Sequence, residues 1–421
     1  MRISLVVPTR ERAALLGPCL EAALAVPDPD LEIVVCDNAS TDGTADLVAA
    51  QTDPRLTAVS LGTRVSMRRN FEAGMAAATG DYVIFIGDDD GVTPAGLAML
   101  RNVLVRHRPD AVGWEMIHYT WPSARSHQAC GFFRIKPKSV YGGLEQRSPR
   151  RLIAELCAAR LRNYKEAANI YHGCVSRELI ERVKAANGGT YFAGAIPDVY
   201  ACIANLIHMR GDLLWLGHPA TFGGASDQST GAAQMAAVKT PVAGLDELRR
   251  FSAEVANDPG TAQIDINVPS VDALTLDMLD LVNKHHGDGR LSIDHRAWID
   301  RILRRLSVLP RHKWESGRAI LAAYFTELER TAMFDDAFQR HLFSGQETMP
   351  EGGRPQRCKI HPFRITLAHP RGLATVRDAA ETLDEVLGNW HRPSETSLGS
   401  ARWLSWIGAL RRAASVARRW S

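Results

Sequence analysis

The chain has 421 residues, 45% of them hydrophobic and 23% charged, with a formal net charge of +3. This is ordinary globular material, long enough for two domains or one domain with a large appendage, and too nearly neutral to argue a nucleic-acid partner. No apolar run is long enough to cross a membrane, and MRISLVVPTRER meets charge too early for a secretory leader, so a cytoplasmic protein is expected. Seven scattered cysteines without a CxxC pair argue against a zinc site or a disulfide framework.

The first hundred residues alternate in character. Strands are expected at Ile3 to Val7, Glu32 to Cys36, Leu56 to Ser60 and Tyr82 to Ile86. Helices are expected at Ala13 to Ala25, Gly43 to Gln51, Val65 to Ala78 and from Pro94 to about Arg106. This alternation predicts an α/β fold with a mostly parallel sheet covered on both faces. Further on, strands are expected at Ala111 to Tyr119, Gly131 to Ile135 and Leu213 to Gly217. Helices are expected at Pro149 to Leu161, Glu178 to Ala186 and Asp198 to His208. The stretch GHPATFGGASDQSTG reads as a small-residue loop. After about residue 230 helical periodicity takes over, which predicts a C-terminal α-helical domain over 231–400, following an α/β domain over 1–230.

The most informative stretch is FIGDDDGVTP, residues 85–94. An apolar strand ends at Gly87, and Asp88, Asp89 and Asp90 emerge at its C-terminal edge, where open α/β sheets bind ligands. Three adjacent carboxylates repel one another unless something positive sits among them. A hard divalent cation, Mg²⁺ or Mn²⁺, completed by substrate phosphates would serve; an acidic turn is the plain alternative. At the second strand end, Asp37 and Asn38 offer a carboxylate and an amide suited to a base or ribose, while Ser40 to Thr44 read as a helix cap.

VVPTRER, VVCDNASTDGT and NFEAGMAAATGDYVIFIGDDDGVTP, in this order and at these intervals, resemble the N-terminal half of a family 2 glycosyltransferase. The resemblance covers about residues 1 to 230. It implies a GT-A fold, with a nucleotide-sugar and metal half over 1–110 and an acceptor half over 111–230. The donor would be a nucleotide-diphosphate sugar and the acceptor a hydroxyl on a glycan or a lipid-linked molecule. Pro8, Thr9, Glu11, Asp37, Asn38, Arg68, Asn70 and Asp88 would bind donor, and Asp89 and Asp90 the metal. Gly87 stands where many relatives carry a further aspartate. Inverting transfer requires a carboxylate base, which the resemblance places at Asp198, after a glycine-containing loop and at a helix start, with Glu166 in reserve; a helix cap is the plain reading of Asp198. His172, Arg177, Ser226 and Ser229 would belong to the acceptor side or to a loop over the phosphates.

Residues 401–421 carry Trp403, Trp406, Ile407, Leu410, Ala414 and Ala417 on one helical stripe, with five arginines outside it and no acid. Such a tail reads either as a basic amphipathic membrane-surface helix or as a docked terminal helix. Two other functions compete for the whole chain. A sugar-phosphate nucleotidyltransferase would need a glycine-rich phosphate loop after the first strand, and only Gly17 is near. A catalytically silent sugar-binding or scaffold protein would not need the aspartate triplet with Asp198.

Overall fold

In a computed structural model the described residues are 1–122, 131–135, 143–229, 242–258, 263–287, 289, 291–345, 359–361, 364–368, 373–387 and 410–418. Strands β1 (Ile3–Thr9), β2 (Leu31–Asp37), β3 (Leu56–Ser60) and β4 (Tyr82–Phe85) alternate with helices α1 (Ala13–Leu24), α2 (Thr44–Ala49) and α3 (Met67–Ala77), as expected. The four strands pair in parallel in the order β3-β2-β1-β4. Helix α4 (Pro94–His107) has proline in its first turn, and Ser66 caps α3 by accepting from Arg69 N.

The eight-stranded sheet continues past β4 through β10 (Gly173–Ser176), β6 (Ala111–Trp114), β11 (Leu213–Leu216) and β9 (Leu144–Arg147). Here pairing turns mixed, because β10 runs antiparallel to both of its neighbours. The single long strand expected at Ala111 to Tyr119 is two strands. Beyond β6 the chain leaves the large sheet and enters a second, six-stranded one as β7 (His118–Thr120). That sheet also contains β5 (Gly91–Val92), β8 (Phe132–Ile135) and β12 (Thr221–Ala225). The last of these is TFGGA, expected as loop. It becomes a strand by pairing with β5 on one side and β7 on the other.

Burial follows the pleat. In β1, Val6 joins one apolar core and Ile3, Leu5 and Val7 the other. Helices α5 (Pro149–Cys157), α6 (Arg177–Ala186) and α7 (Pro197–His208) pack in the first core with α3. The C-terminal region is largely helical: α8 (Val242–Ala256), α9 (Val271–His286), α10 (His295–Leu306), α11 (Arg311–Glu327), α12 (Thr331–Arg340) and α13 (Val376–Leu387). Side chains of α8 to α12 share the first core with the sheet, whereas α13 packs in the second with α1 and α4. One departure from the helical expectation is the hairpin of β13 (Lys359–His361) and β14 (Arg364–Ala368), which pairs with β8.

Two side chains tie the helical region to the wall between residues 156 and 162. Trp298 Nε1 donates to the Leu156 carbonyl at 3.0 Å. Arg301, buried, donates to Asp272 and to the carbonyls of Ala159, Leu161 and Arg162. The C-terminal segment 410–418 is helical and docks on α13: Ala413 and Val416 are buried, and Arg412 donates to the carbonyls of Val386 and Leu387. The buried stripe therefore differs from the expected one, with Ala414 and Ala417 only half-buried; Trp403, Trp406 and Ile407 lie outside the described residues. No helix among the described residues is long and apolar enough to cross a membrane.

Trp298→Ala removes a fully buried indole and its hydrogen bond. A loss of about 3–5 kcal/mol in urea unfolding is expected; a loss below 1 kcal/mol on the same scale would show that the helical region is not anchored there.

Candidate active site

The C-terminal ends of β1 and β4 open into a cleft of about 620 Å³, which extends to the helical region. Pro8, Thr9, Arg10, Arg12, Asn38, Asn70 and the Asp88 to Asp90 triplet line one end; Tyr164, Lys165 and Asp198 also face it. The topology brings these together. Residues after the triplet become β5, whose pairing with β12 carries Gly224 and Ser226 back over the aspartates. Tyr171 bridges to Phe85, and this sets Tyr171 and His172 beside the end of β4.

All three aspartates are buried, and each has its own partners. Asp88 accepts from Thr9 Oγ1 at 2.8 Å and from Arg12 Nη1 at 3.1 Å. Asp89 Oδ2 accepts from Ser226 Oγ at 2.8 Å, and its backbone carbonyl accepts from Trp121 Nε1 at 2.8 Å. Asp89 Oδ1 accepts no hydrogen bond from the described residues. Asp90 is saturated. Its oxygens accept from Gly87 N, Gly224 N and Tyr171 Oη, and pair with His172 Nε2 at 3.0 Å.

The electrostatics follow. Burial, then the neighbouring Asp90, push the Asp89 carboxyl upward. Burial would also raise Asp90, but His172 and the two backbone N–H donors outweigh it and hold Asp90 low. Among the described residues no group of three His, Cys, Asp or Glu side chains has the geometry of a metal cage. What the wall offers a cation is the open oxygen of Asp89 with Asp88 beside it. Mg²⁺ is commonly held in this way, by one or two carboxylates plus substrate phosphates.

Among the described residues Asn70 Oδ1 is a buried acceptor without a partner, in a side chain that lines the cleft. Asp198 lies in the first turn of α7, with Tyr164 Oη 3.3 Å from its Oδ2. Burial raises the Asp198 carboxyl above its ordinary range, with Lys165 the first opposing influence. Pro197, rather than a capping side chain, opens this helix.

Several expected residues stand elsewhere. Glu11 faces a separate surface hollow, where it accepts from Thr41 N and pairs with Arg64. Asp37 is buried and accepts from Ser40, which fixes the turn into α2. Asn38 lines the cleft, yet its amide is engaged at both ends by the Val65 backbone. Arg68 forks onto Asp258. Arg177 is away from the cleft, donating to the carbonyls of Ala78 and Gly80; it secures the turn into β4 rather than an acceptor or lid. Glu166 pairs with Arg162 outside the cleft. His172 and Ser226 act on Asp90 and Asp89, and Ser229 lines the cleft. The sequence reading missed Arg12, Tyr164, Lys165 and Tyr171. Arg12 could have been found in PTRER as a cation near the triplet; the other three carry no motif.

Residues 4–165 match the family model described as Glycosyl transferase family 2. The chain is 30% identical over 115 residues to the PGL/p-HBAD biosynthesis glycosyltransferase of Mycobacterium bovis, an alignment covering 25% of this chain and 43% of that protein. It is 34% identical over 113 residues to the Abequosyltransferase RfbV of Salmonella typhimurium, covering 25% of this chain and 33% of that protein. The chain thus spans less than half the length of these curated relatives. Among solved structures, S. aureus TarS 1-349 in complex with UDP-GlcNAc superposes with a TM-score of 0.45 at 13% identity, over 86% of this chain and 95% of that one.

Gly224→Ala would set a Cβ 1.7 Å from the Asp89 carbonyl oxygen, so either β12 or the triplet must move. The variant is expected to fold, judged by circular dichroism, and to lose nucleoside-diphosphate binding in calorimetry. Unchanged binding would show that β12 does not set the position of Asp89.

Proposed function

We propose that the protein transfers a sugar, with inversion, from a nucleotide-diphosphate sugar to a hydroxyl of a glycan or lipid-linked acceptor. The observation that carries this reading is that the Asp88–Asp89 wall and Asp198 face one cleft. The nucleotide would lie along Pro8, Thr9 and Asn70, whose orphaned Oδ1 would accept from the base or ribose. A buried acceptor without a donor costs about 1–3 kcal/mol, which a ligand N–H or O–H would recover. Arg12, already at Asp88, would face the diphosphate. Asp89, with Asp88, would hold Mg²⁺ or Mn²⁺; when bound, such an ion offsets charge on the leaving diphosphate. Asp90, saturated by four donors, would position Asp89 and the β12 turn rather than ligate. Asp198 would take the proton of the attacking hydroxyl, oriented by Tyr164. Contact of the 401–421 tail with a membrane surface would not use Ala413 and Val416, which are packed on the protein.

The base must be deprotonated to act, and Asp198 is raised by burial. The transfer rate is therefore expected to fall as pH drops through that raised pKa, with the acidic limb of kcat/KM above the ~3.9 of a free aspartate. Asp198→Asn should lower transfer by about 10²–10⁴-fold while nucleotide affinity holds. Transfer at the native rate would remove Asp198 from the role.

Ser226→Ala leaves Asp89 without its orienting hydroxyl. Mn²⁺ affinity in the presence of nucleoside diphosphate should fall roughly 10–100-fold. An unaltered titration would place the metal elsewhere, and pyrophosphate release from a sugar phosphate and a nucleoside triphosphate would point to a nucleotidyltransferase.

A further inference from the structure

Lys165 stands at a junction. It faces both the main cleft and a second groove of about 540 Å³, which is walled by Trp114, Phe132 and Trp215 and includes none of Thr9, Asn70 or the aspartate triplet. Its Nζ lies 3.9 Å from Met116 Sδ, and among the described residues no carboxylate is within ion-pair distance. The neighbouring cations of the groove are already engaged: Arg162 with Glu166 at 2.7 Å and Arg305 with Asp272 at 2.8 Å. Burial disfavours the charge on Lys165, while the fields of Asp198 and Asp90 support it. An ammonium half-withdrawn from water without a counter-ion is a cost to the folded chain. It becomes a recognition device if the counter-ion arrives with a substrate.

We propose that Lys165 recognises a negatively charged substituent, a phosphate or a carboxylate, carried by the acceptor next to its attacking hydroxyl, with the remainder of the acceptor continuing into the Trp114–Trp215 groove. The assignment rests on the transferase reading above. It points to the acceptor rather than the donor because Lys165 follows Tyr164, which holds Asp198, and because the groove's lining includes none of Thr9, Asn70 or the aspartate triplet. The ammonium suits an anion at the groove's entrance.

The full chain, saturated with UDP or GDP and Mn²⁺ so that the diphosphate site is filled, is titrated by calorimetry with two matched pairs. One is methyl glucuronide against methyl glucoside; the other is glycerol 1-phosphate against glycerol. The charged member of at least one pair should bind about tenfold more tightly, and the pair that discriminates tells carboxylate from phosphate. Lys165→Met should abolish the preference and Lys165→Arg should keep it, with both variants matching the wild type in circular dichroism. Equal binding within both pairs, or a preference that survives Lys165→Met, overturns the proposal. A preference of the wild type for a nucleotide-linked glucuronic acid over the glucose analogue, lost in Lys165→Met, would move the anion to the donor and also overturn it. The titrations are repeated without nucleotide. A chain that binds no nucleoside diphosphate would then defeat the transferase reading while the Lys165 comparison still stands or falls by itself.

Discussion

The cleft depends on the buried carboxylate of Asp90. It receives Gly87 N, Gly224 N, Tyr171 Oη and His172 Nε2, and so joins the end of β4, the turn before β10 and strand β12 at one point. A buried charge of this kind is tolerated only when its lone pairs are satisfied, and losing one partner leaves the rest expensive. Satisfied, it fixes the backbone on either side. His172 accordingly sits at φ +56, and its other ring nitrogen is held 2.8 Å from Thr221 Oγ1. Asp89, next to Asp90 in sequence, is held by Ser226 at its side chain and by Trp121 at its carbonyl.

The second constraint is the anchoring of the wall opposite. Residues 159–165 contain no regular element longer than one turn, over Tyr164 to Glu166. Their carbonyls are instead gathered by Arg301, which Asp272 neutralises. Trp298 does the same for Leu156. Tyr164 and Lys165 are thereby presented to Asp198 from outside the α/β sheet. The helical region is thus a structural partner of the candidate acceptor side, sharing its apolar core rather than standing apart from it.

Much of the first half was legible from residue order. Short, largely apolar runs between capping and turn residues marked β1, β2 and β4, and the triplet at a strand end marked the cleft. What escaped was decided by contacts remote in sequence. TFGGA has no strand signature, yet β5 and β7 supply its partners, and Gly224 is there because any side chain would meet the Asp89 backbone. Asp37 and Asn38 carried the right chemistry for a nucleotide and proved to be bound to Ser40 and Val65. Arg177 looked like a site residue in its motif and faces the far end of β4. Lys165 had no pattern to reveal it; its environment is assembled from β6, the 159–165 wall and α7.

The central claim is that a displacement crosses this cleft, with the leaving diphosphate at Asp89 and the incoming hydroxyl at Asp198. The most direct measurement is proton NMR of the product formed from an α-configured nucleotide-diphosphate sugar and an accepted hydroxyl. The account predicts stoichiometric nucleoside diphosphate and a β-linked product, its small anomeric coupling in the donor replaced by a large one for a gluco-configured sugar. A product that keeps the α configuration would contradict it.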